Sequence, residues 1–269
     1  MFDQKLAKRA AGNLAAVREK RPLIHNITNY VVMNYTANAL LACGASPVMA
    51  HAEEEVEEMV SLAGALVINI GTLSTPWIES MIKAVKRANQ LKVPVILDPV
   101  GAGATSLRTK TSRRLVEEVS VTVIRGNASE VLSLAEKGSG TKGVESIHTV
   151  EEATDAAVSL ARKLKGTPAI TGKVDLITDG ERTRMVFNGH EMMSRVTGTG
   201  CTATAMIGAF LAVDPDPVEA TTTALAYFGL AGEKAAAHSS APGSFQIALL
   251  DALYTIDGEQ LEEGARIQI

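Results

Sequence analysis

The sequence predicts an α/β fold, with a mostly parallel central sheet, helices on both of its faces and an antiparallel hairpin at one edge. Three observations carry this. Short apolar runs alternate with helically spaced stretches over roughly 170 residues, the rhythm of strand–helix–strand units. Several of those runs are apolar throughout, as strands covered on both faces are. Asp179-Gly180 stands between two strand-like runs, 174–178 and 182–187, a strong hairpin signal.

The elements follow in order. Residues 3–19 have helical spacing, with Leu6, Ala10, Leu14 and Val17 on one face. A short strand over 22–28 breaks into a polar turn, and Asn29 is placed to cap a helix over 30–43 that stops at Gly44. Residues 46–50 form a second short strand, and 53–62 a helix with an acidic start. The buried strand 65–70 ends at Gly71-Thr72. Thr75 is expected as the N-cap of the next helix, with Pro76 at its first position. The buried strand 93–97 ends in Asp98-Pro99, and a glycine-rich loop leads to a helix reaching about residue 119. A strand over 121–124 precedes Arg125-Gly126-Asn127 and a helix from Ala128. Residues 138–143 read as a flexible loop, and Thr149 to Glu152 as a capping box opening a helix to Leu164. After the strand 168–170 and the hairpin come an apolar segment, 203–213, helices near 217–238 and 244–255, and a polar tail.

The chain has 269 residues, enough to bury a sizeable core, and with no repeat or low-complexity linker residues 1–269 read as one domain. Aromatic residues make up only 4%, so the core must be Ala, Val, Leu and Ile, and stacking platforms for single-stranded nucleic acid are excluded. A net charge of −4 without a basic block argues against nucleic-acid partners. The longest apolar run is too short to span a bilayer, and the start of the chain is charged and amphipathic, not an apolar leader. Cys43 and Cys201 lie too far apart in sequence to imply a disulfide framework or zinc cluster. His25, His51, His148, His190 and His238 form no i, i+4 pair, which speaks against zinc. A soluble cytoplasmic protein is expected.

Chemistry-bearing residues fall at the carboxyl ends of the expected strands, where open α/β sheets bind ligands. In Val196-Thr197-Gly198-Thr199-Gly200-Cys201 two glycines free the backbone just before an apolar helix. Such a turn aims the N–H groups of Gly198, Gly200 and Cys201 at one spot, where the helix dipole favours an anion. That is the expected geometry of a phosphoryl-transfer site. Cys201 on the first helical turn gains a lowered pKa, and hence some thiolate as base or nucleophile. A thiolate beside an incoming triphosphate is unfavourable, however, which favours a neutral thiol that aims a hydroxyl and acts as a weak base. Asp98 at a strand end suits Mg²⁺ or a turn cap. Glu130 in Asn127-Ala128-Ser129-Glu130 reads either as the third residue of a capped helix or as a second carboxylate ordering the hydration of Mg²⁺. Arg125 pairs with a phosphate or with a structural carboxylate. Gly101-Ala102-Gly103 fails as a dinucleotide fingerprint because Ser106 holds the third glycine's place, and Gly172-Lys173 fails as a P-loop because Val174 follows.

Seven segments in order from residue 25 to 246 together resemble the hydroxyethylthiazole kinase family of the ribokinase-like superfamily. They are His25-Asn26-Ile27-Thr28-Asn29, Gly44-Ala45-Ser46-Pro47-Val48-Met49, Asn69-Ile70-Gly71-Thr72-Leu73, the run from Asp98-Pro99-Val100-Gly101 to Thr105, Ile124-Arg125-Gly126-Asn127, the Val196 to Cys201 turn, and Pro242-Gly243-Ser244-Phe245-Gln246. The resemblance implies a three-layer α/β/α ribokinase-like fold and ATP-dependent phosphorylation of the primary hydroxyl of 4-methyl-5-(2-hydroxyethyl)thiazole, a salvage step in thiamine synthesis. It also implies a homotrimer with thiazole sites at subunit boundaries. By motif match Asn29, Met49, Gly71 and Gly198 line the thiazole pocket, Arg125, Asn127 and Thr171 serve ATP, Asp98 and Glu130 serve Mg²⁺ and the phosphates, and Cys201 faces the substrate hydroxyl. Many ribokinase-like enzymes carry aspartate after Gly-x-Gly as base; cysteine there is a mark of the narrower family. The rival readings are a kinase of another heterocyclic alcohol such as hydroxymethylpyrimidine, a cysteine acyl transferase using His25, and a non-catalytic thiazole- or nucleotide-binding protein.

Overall fold

One nine-stranded sheet organises the chain, in a computed structural model that describes residues 2–135 and 150–269. Its strands are β1 (Leu23–Ile27), β2 (Ser46–Val48), β3 (Ala65–Asn69), β4 (Val95–Asp98), β5 (Val123–Gly126), β6 (Thr167–Ile170), β7 (Asp175–Thr178), β8 (Thr183–Val186) and β9 (Ile267–Gln268). The order is β2-β1-β3-β4-β5-β6-β7-β8-β9, parallel from β2 to β6 and antiparallel from β6 to β9.

Helices cover both faces, as the uniformly apolar strands require. On one side lie α1 (Gln4–Lys20), α2 (Met33–Cys43), α8 (Thr199–Leu211), α9 (Pro217–Ala237), α10 (Pro242–Thr255) and α11 (Gly258–Gly264), packed with Ile24, Val67, Ile96 and Val123 of the sheet. On the other lie α3 (Val56–Leu62), α4 (Thr75–Leu91), α5 (Ser106–Glu118), α6 (Ala128–Leu132) and α7 (Val150–Leu164), packed with Ile27, Leu66, Ile68, Leu97 and Ile124. The alternation of strand side chains therefore assigns each strand residue to one layer. The apolar α8 runs across the sheet so closely that a Cβ at Gly208 would lie 3.0 Å from the Val67 side chain.

Local sequence explains most boundaries. The stripe of Leu6, Ala10, Leu14 and Val17 is buried on α1, and Asp3 caps it by accepting from the Leu6 N–H. Gly44 closes α2 at φ 104°, the left-handed region that glycine enters without a Cβ penalty. Elsewhere the structure differs from expectation. The cap of α4 is Ser74, and Thr75 is already helical. Asn29 does not cap α2: that helix begins later, at Met33, and Asn29 accepts from the Val31 N–H in the turn before it. The 174–187 hairpin does form the antiparallel end of the sheet, and the unexpected feature is the two-residue strand β9 paired outside β8. The supposed polar tail is α11 followed by that strand, its apolar Leu261 and Ile267 fully buried. The predicted loop 138–143, the capping box at Thr149 and His148 lie outside the described residues.

Candidate active site

Period-2 alternation places a row of polar side chains under α8. On β3, β4 and β5 the residues Val67, Ile96 and Val123 face α8, so Asn69, Asp98 and Arg125, two positions later, face it too. Asn69 and Asp98 are partners in register across β3 and β4. Each ends its strand, where the sheet gives way to loops and side chains can meet a ligand.

The α8 end of this row is built on Gly198, whose φ of 88° allows the turn into the helix and whose added Cβ would lie 2.7 Å from Val32. Thr199, Gly200 and Cys201 form the first turn, whose N–H groups have no carbonyl a turn earlier to bond. Arg125 lies against this turn: a Cβ at Gly200 would sit 2.6 Å from its Nη1. Arg125 Nη2 donates to Thr171 Oγ1 at 2.6 Å, and Nη1 stands 3.8 Å from Asp98 Oδ2. A cation and a helix N-terminus thus converge, the arrangement that binds phosphate.

Asp98 is 1% exposed. Its Oδ2 accepts from Thr204 Oγ1 and Asn69 Nδ2, both at 2.8 Å. Its Oδ1 is buried with no hydrogen-bond partner among the described residues. Burial pushes the Asp98 carboxyl up to about 6, against the pull of Arg125. Glu130 sits close enough to raise it further, but both its oxygens are engaged: Oε1 accepts from the Gly101 N–H at 2.8 Å and Oε2 from the Asn127 N–H at 2.9 Å. Asn127 and Glu130 form the reciprocal capping box of α6, so the capping reading of this pair holds in the structure.

For Cys201 the structure favours the neutral-thiol reading over the lowered-pKa one. Burial, and next the Asp98 carboxylate, push its thiol up to about 11, so the thiolate expected from the helix N-terminus is suppressed. Its Sγ stands 3.5 Å from Asn29 Nδ2. The same Nδ2 donates to Asn69 Oδ1 at 2.7 Å. Gly71 is held by this group as well: its N–H donates to Asn69 Oδ1 at 2.9 Å, and a Cβ there would lie 2.6 Å from Asn29 Nδ2.

Of the expected site residues, Asn29, Gly71, Asp98, Arg125, Thr171, Gly198, Gly200 and Cys201 come together around α8. Glu130 and Asn127 stand at its border with capping tasks. Met49 is half-buried just past β2, the outermost strand, and is not joined to the hydrogen-bonded group. His25 lies on the opposite sheet face with its Nε2 2.7 Å from the Ala50 carbonyl oxygen, so it does not serve Cys201. Three neighbours were not singled out from sequence. Asn69 ends a buried strand just as Asp98 does, and that parallel was a usable signal. Thr204 follows Cys201 by one helical turn. Arg108 donates to the carbonyl oxygens of Val100 at 2.6 Å, Gly71 at 2.7 Å and Ile70 at 3.3 Å, tying the loops after β3 and β4 together; nothing in its local sequence signals this.

For a divalent cation, no group of three or more His, Cys, Asp or Glu side chains converges among the described residues. Mg²⁺ needs only one or two carboxylates when phosphates supply other ligands. The partnerless Oδ1 of Asp98 fits that requirement.

Comparison with known proteins bears on the whole chain. The family model described as the hydroxyethylthiazole kinase family matches residues 14–259. The hydroxyethylthiazole kinase of Desulfotalea psychrophila is 61% identical over 259 residues, covering 96% of this chain and 95% of the relative. That of Desulfosudis oleivorans is 53% identical over 270 residues, covering 100% and 98%. Among solved structures, a hydroxyethylthiazole kinase protein from Pyrococcus horikoshii superposes with a TM-score of 0.90 at 51% identity, covering 97% of this chain and 98% of that one. A ribokinase-like superfamily protein from Enterococcus faecalis superposes with a TM-score of 0.65 at 15% identity, covering 94% of each, and shows the shared fold.

Proposed function

Because the chain belongs to the hydroxyethylthiazole kinase family, we propose that it transfers the γ-phosphoryl group of ATP to the primary hydroxyl of 4-methyl-5-(2-hydroxyethyl)thiazole, serving thiamine salvage, as a single kinase domain. The observation that carries this reading is the meeting of Arg125 with the first turn of α8 directly beside Cys201.

Phosphoryl transfer passes through a loose transition state, so positioning and charge stabilisation do most of the work. The N–H groups of Thr199, Gly200 and Cys201 and the Arg125 guanidinium meet the transferring phosphoryl oxygens, a preorganised set of donors. Thr171 holds Arg125 in place. Asn29, Gly71 and Gly198 line the thiazole side, and Met49 borders it. Cys201, neutral at physiological pH, accepts a hydrogen bond from the substrate hydroxyl and aims its oxygen at the γ-phosphorus. No strong base is required, because the alcohol proton leaves late. Asp98 Oδ1, with Glu130 beyond it, would hold Mg²⁺, which supplies charge neutralisation at the phosphates. Asn127 borders the nucleotide side through its cap of α6.

A homotrimer with sites at subunit boundaries belongs to the same proposal. Tyr30 and Val31, which follow Asn29, are 66% and 65% exposed, and Ile247 on the neighbouring α10 is 66% exposed. A second copy covering these residues would close the thiazole side. Two free cysteines fit a reducing compartment, and we place the protein in the cytoplasm; none of the described helices is long and apolar enough to cross a membrane.

Offering the thiazole alcohol and hydroxymethylpyrimidine together with ATP and Mg²⁺ tests the substrate. Preferential phosphorylation of the thiazole supports the reading, and preferential phosphorylation of the pyrimidine overturns it.

A further inference from the structure

The side-chain amide of Asn69 sits between the two halves of the site. Its Nδ2 donates to Asp98 Oδ2 at 2.8 Å. Its Oδ1 accepts twice, from Asn29 Nδ2 at 2.7 Å and from the Gly71 N–H at 2.9 Å. These three bonds fix the amide's orientation, because a flip would set its NH₂ against two donors and its oxygen against a carboxylate. The group is 1% exposed, so no bulk water substitutes for a lost partner, and each bond matters more than it would at the surface.

Asn29 is oriented by this arrangement. Its Oδ1 accepts from the Val31 N–H, and its Nδ2 reaches both Asn69 and the Cys201 sulfur. The orientation of Asn69 therefore sets that of Asn29, and Asn29 in turn contacts Cys201. On the other side Asn69 fixes Oδ2 of Asp98, which leaves Oδ1 as the free oxygen.

The geometry points to Asn69 as a positioning residue that fixes the spacing between the carboxylate on the phosphate side, Asp98, and the groups that hold and aim the alcohol, Asn29 and Cys201. It touches neither substrate and acts through those three. This inference rests on the phosphoryl-transfer reading and deepens it: the two substrates are held in register through one amide.

Two substitutions separate the halves of the amide. Asn69→Asp keeps an acceptor for Asn29 and Gly71 but sets a second carboxyl against the buried Asp98; the two share one proton, so the fixed neutral donor to Asp98 Oδ2 is lost and the Asp98 charge is diluted. Asn69→Leu removes both. Steady-state kinetics with each substrate varied is the readout, beside the wild type. Asn69→Asp is expected to lower kcat about tenfold while the KM of the alcohol stays within about threefold. Asn69→Leu is expected to lower kcat and also to raise the alcohol KM more than about threefold, with the KM of ATP less affected. A kcat in Asn69→Asp within about threefold of wild type, or an alcohol KM raised beyond that margin in this variant, overturns the assignment. Should Asn69→Leu fail to fold, the aspartate variant alone decides. An active wild type with an indifferent Asn69→Asp variant overturns only this inference; a wild type that leaves the alcohol unphosphorylated overturns the functional reading and this one with it.

Discussion

Thr204 donates its hydroxyl to Asp98 Oδ2 at 2.8 Å, joining α8, whose first turn is the proposed anion cradle, to the strand that supplies the buried carboxylate. Thr204→Val keeps the shape and removes the donor. Leaving a buried carboxylate short of a partner costs about 1–3 kcal/mol. The cost attaches to the charged form, so it is expected to be larger at pH 8 than at pH 5. Urea unfolding of the two proteins at both pH values checks this, and Thr204→Ser is expected to recover most of the loss.

Asp98 is a carboxylate whose burial opposes its own charge. Its carboxyl is raised from an ordinary 3.8 to about 6 in the folded protein. The native state therefore binds the proton more tightly than the unfolded chain does. The associated stability is fully present below about pH 4 and is lost as pH rises through about 6. Asp98→Asn removes the charge that is costly at pH 8, where its melting temperature is expected to exceed that of the wild type by a few degrees. The gap should close towards pH 4. The same substitution is expected to lower kcat at least about tenfold and to shift the Mg²⁺ requirement. An unchanged Mg²⁺ dependence would remove Asp98 from the metal site.

Gly200 leaves room for Arg125. A methyl group there would lie 2.6 Å from Nη1 and 3.1 Å from Nη2 of that guanidinium, so Arg125 must move. Gly200→Ala is expected to raise the KM of ATP about tenfold, the equivalent of roughly 1.4 kcal/mol of lost binding. The KM of the alcohol should move much less. Initial rates with each substrate varied in turn separate the two effects.

Cys201 is expected to behave as a neutral, poorly reactive thiol. With its thiol pushed up to about 11 and that of Cys43 up to about 12, both should alkylate far more slowly than a small free thiol at pH 8. Mass spectrometry after timed iodoacetamide treatment of the native protein measures this. If Cys201 only aims the hydroxyl and serves as a weak base, Cys201→Asp should keep or raise the rate. A folded, substrate-binding but inactive aspartate variant contradicts that role.

The sheet and the row of strand-end residues were legible because both follow from period and polarity. A buried strand with Asp98 at its end, or Arg125 one residue before it, places a charge where the core stops, and the glycines around Thr199 announce a turn. Asn69 carried the same strand-end signal, but a neutral amide draws less attention than a charge. For Cys201 the helix N-terminus that argues for a thiolate is local and visible in sequence, whereas the burial that keeps the thiol neutral arises from packing. Asn29 looked like a helix cap for the same reason: its true partners, Asn69 and Cys201, stand 40 and 172 residues away. The closing strand β9 was hidden in a polar tail because only Leu261, Ala265 and Ile267 of α11 and the residues after it are buried.

The most direct test is to incubate the purified protein with 4-methyl-5-(2-hydroxyethyl)thiazole, ATP and Mg²⁺ and to weigh the alcohol by mass spectrometry. The account predicts that the thiazole gains one phosphoryl group on its hydroxyl oxygen, with matching release of ADP, and that omitting ATP abolishes the gain. Recovery of the alcohol unchanged, with protein that is folded and ATP that is intact, would contradict it.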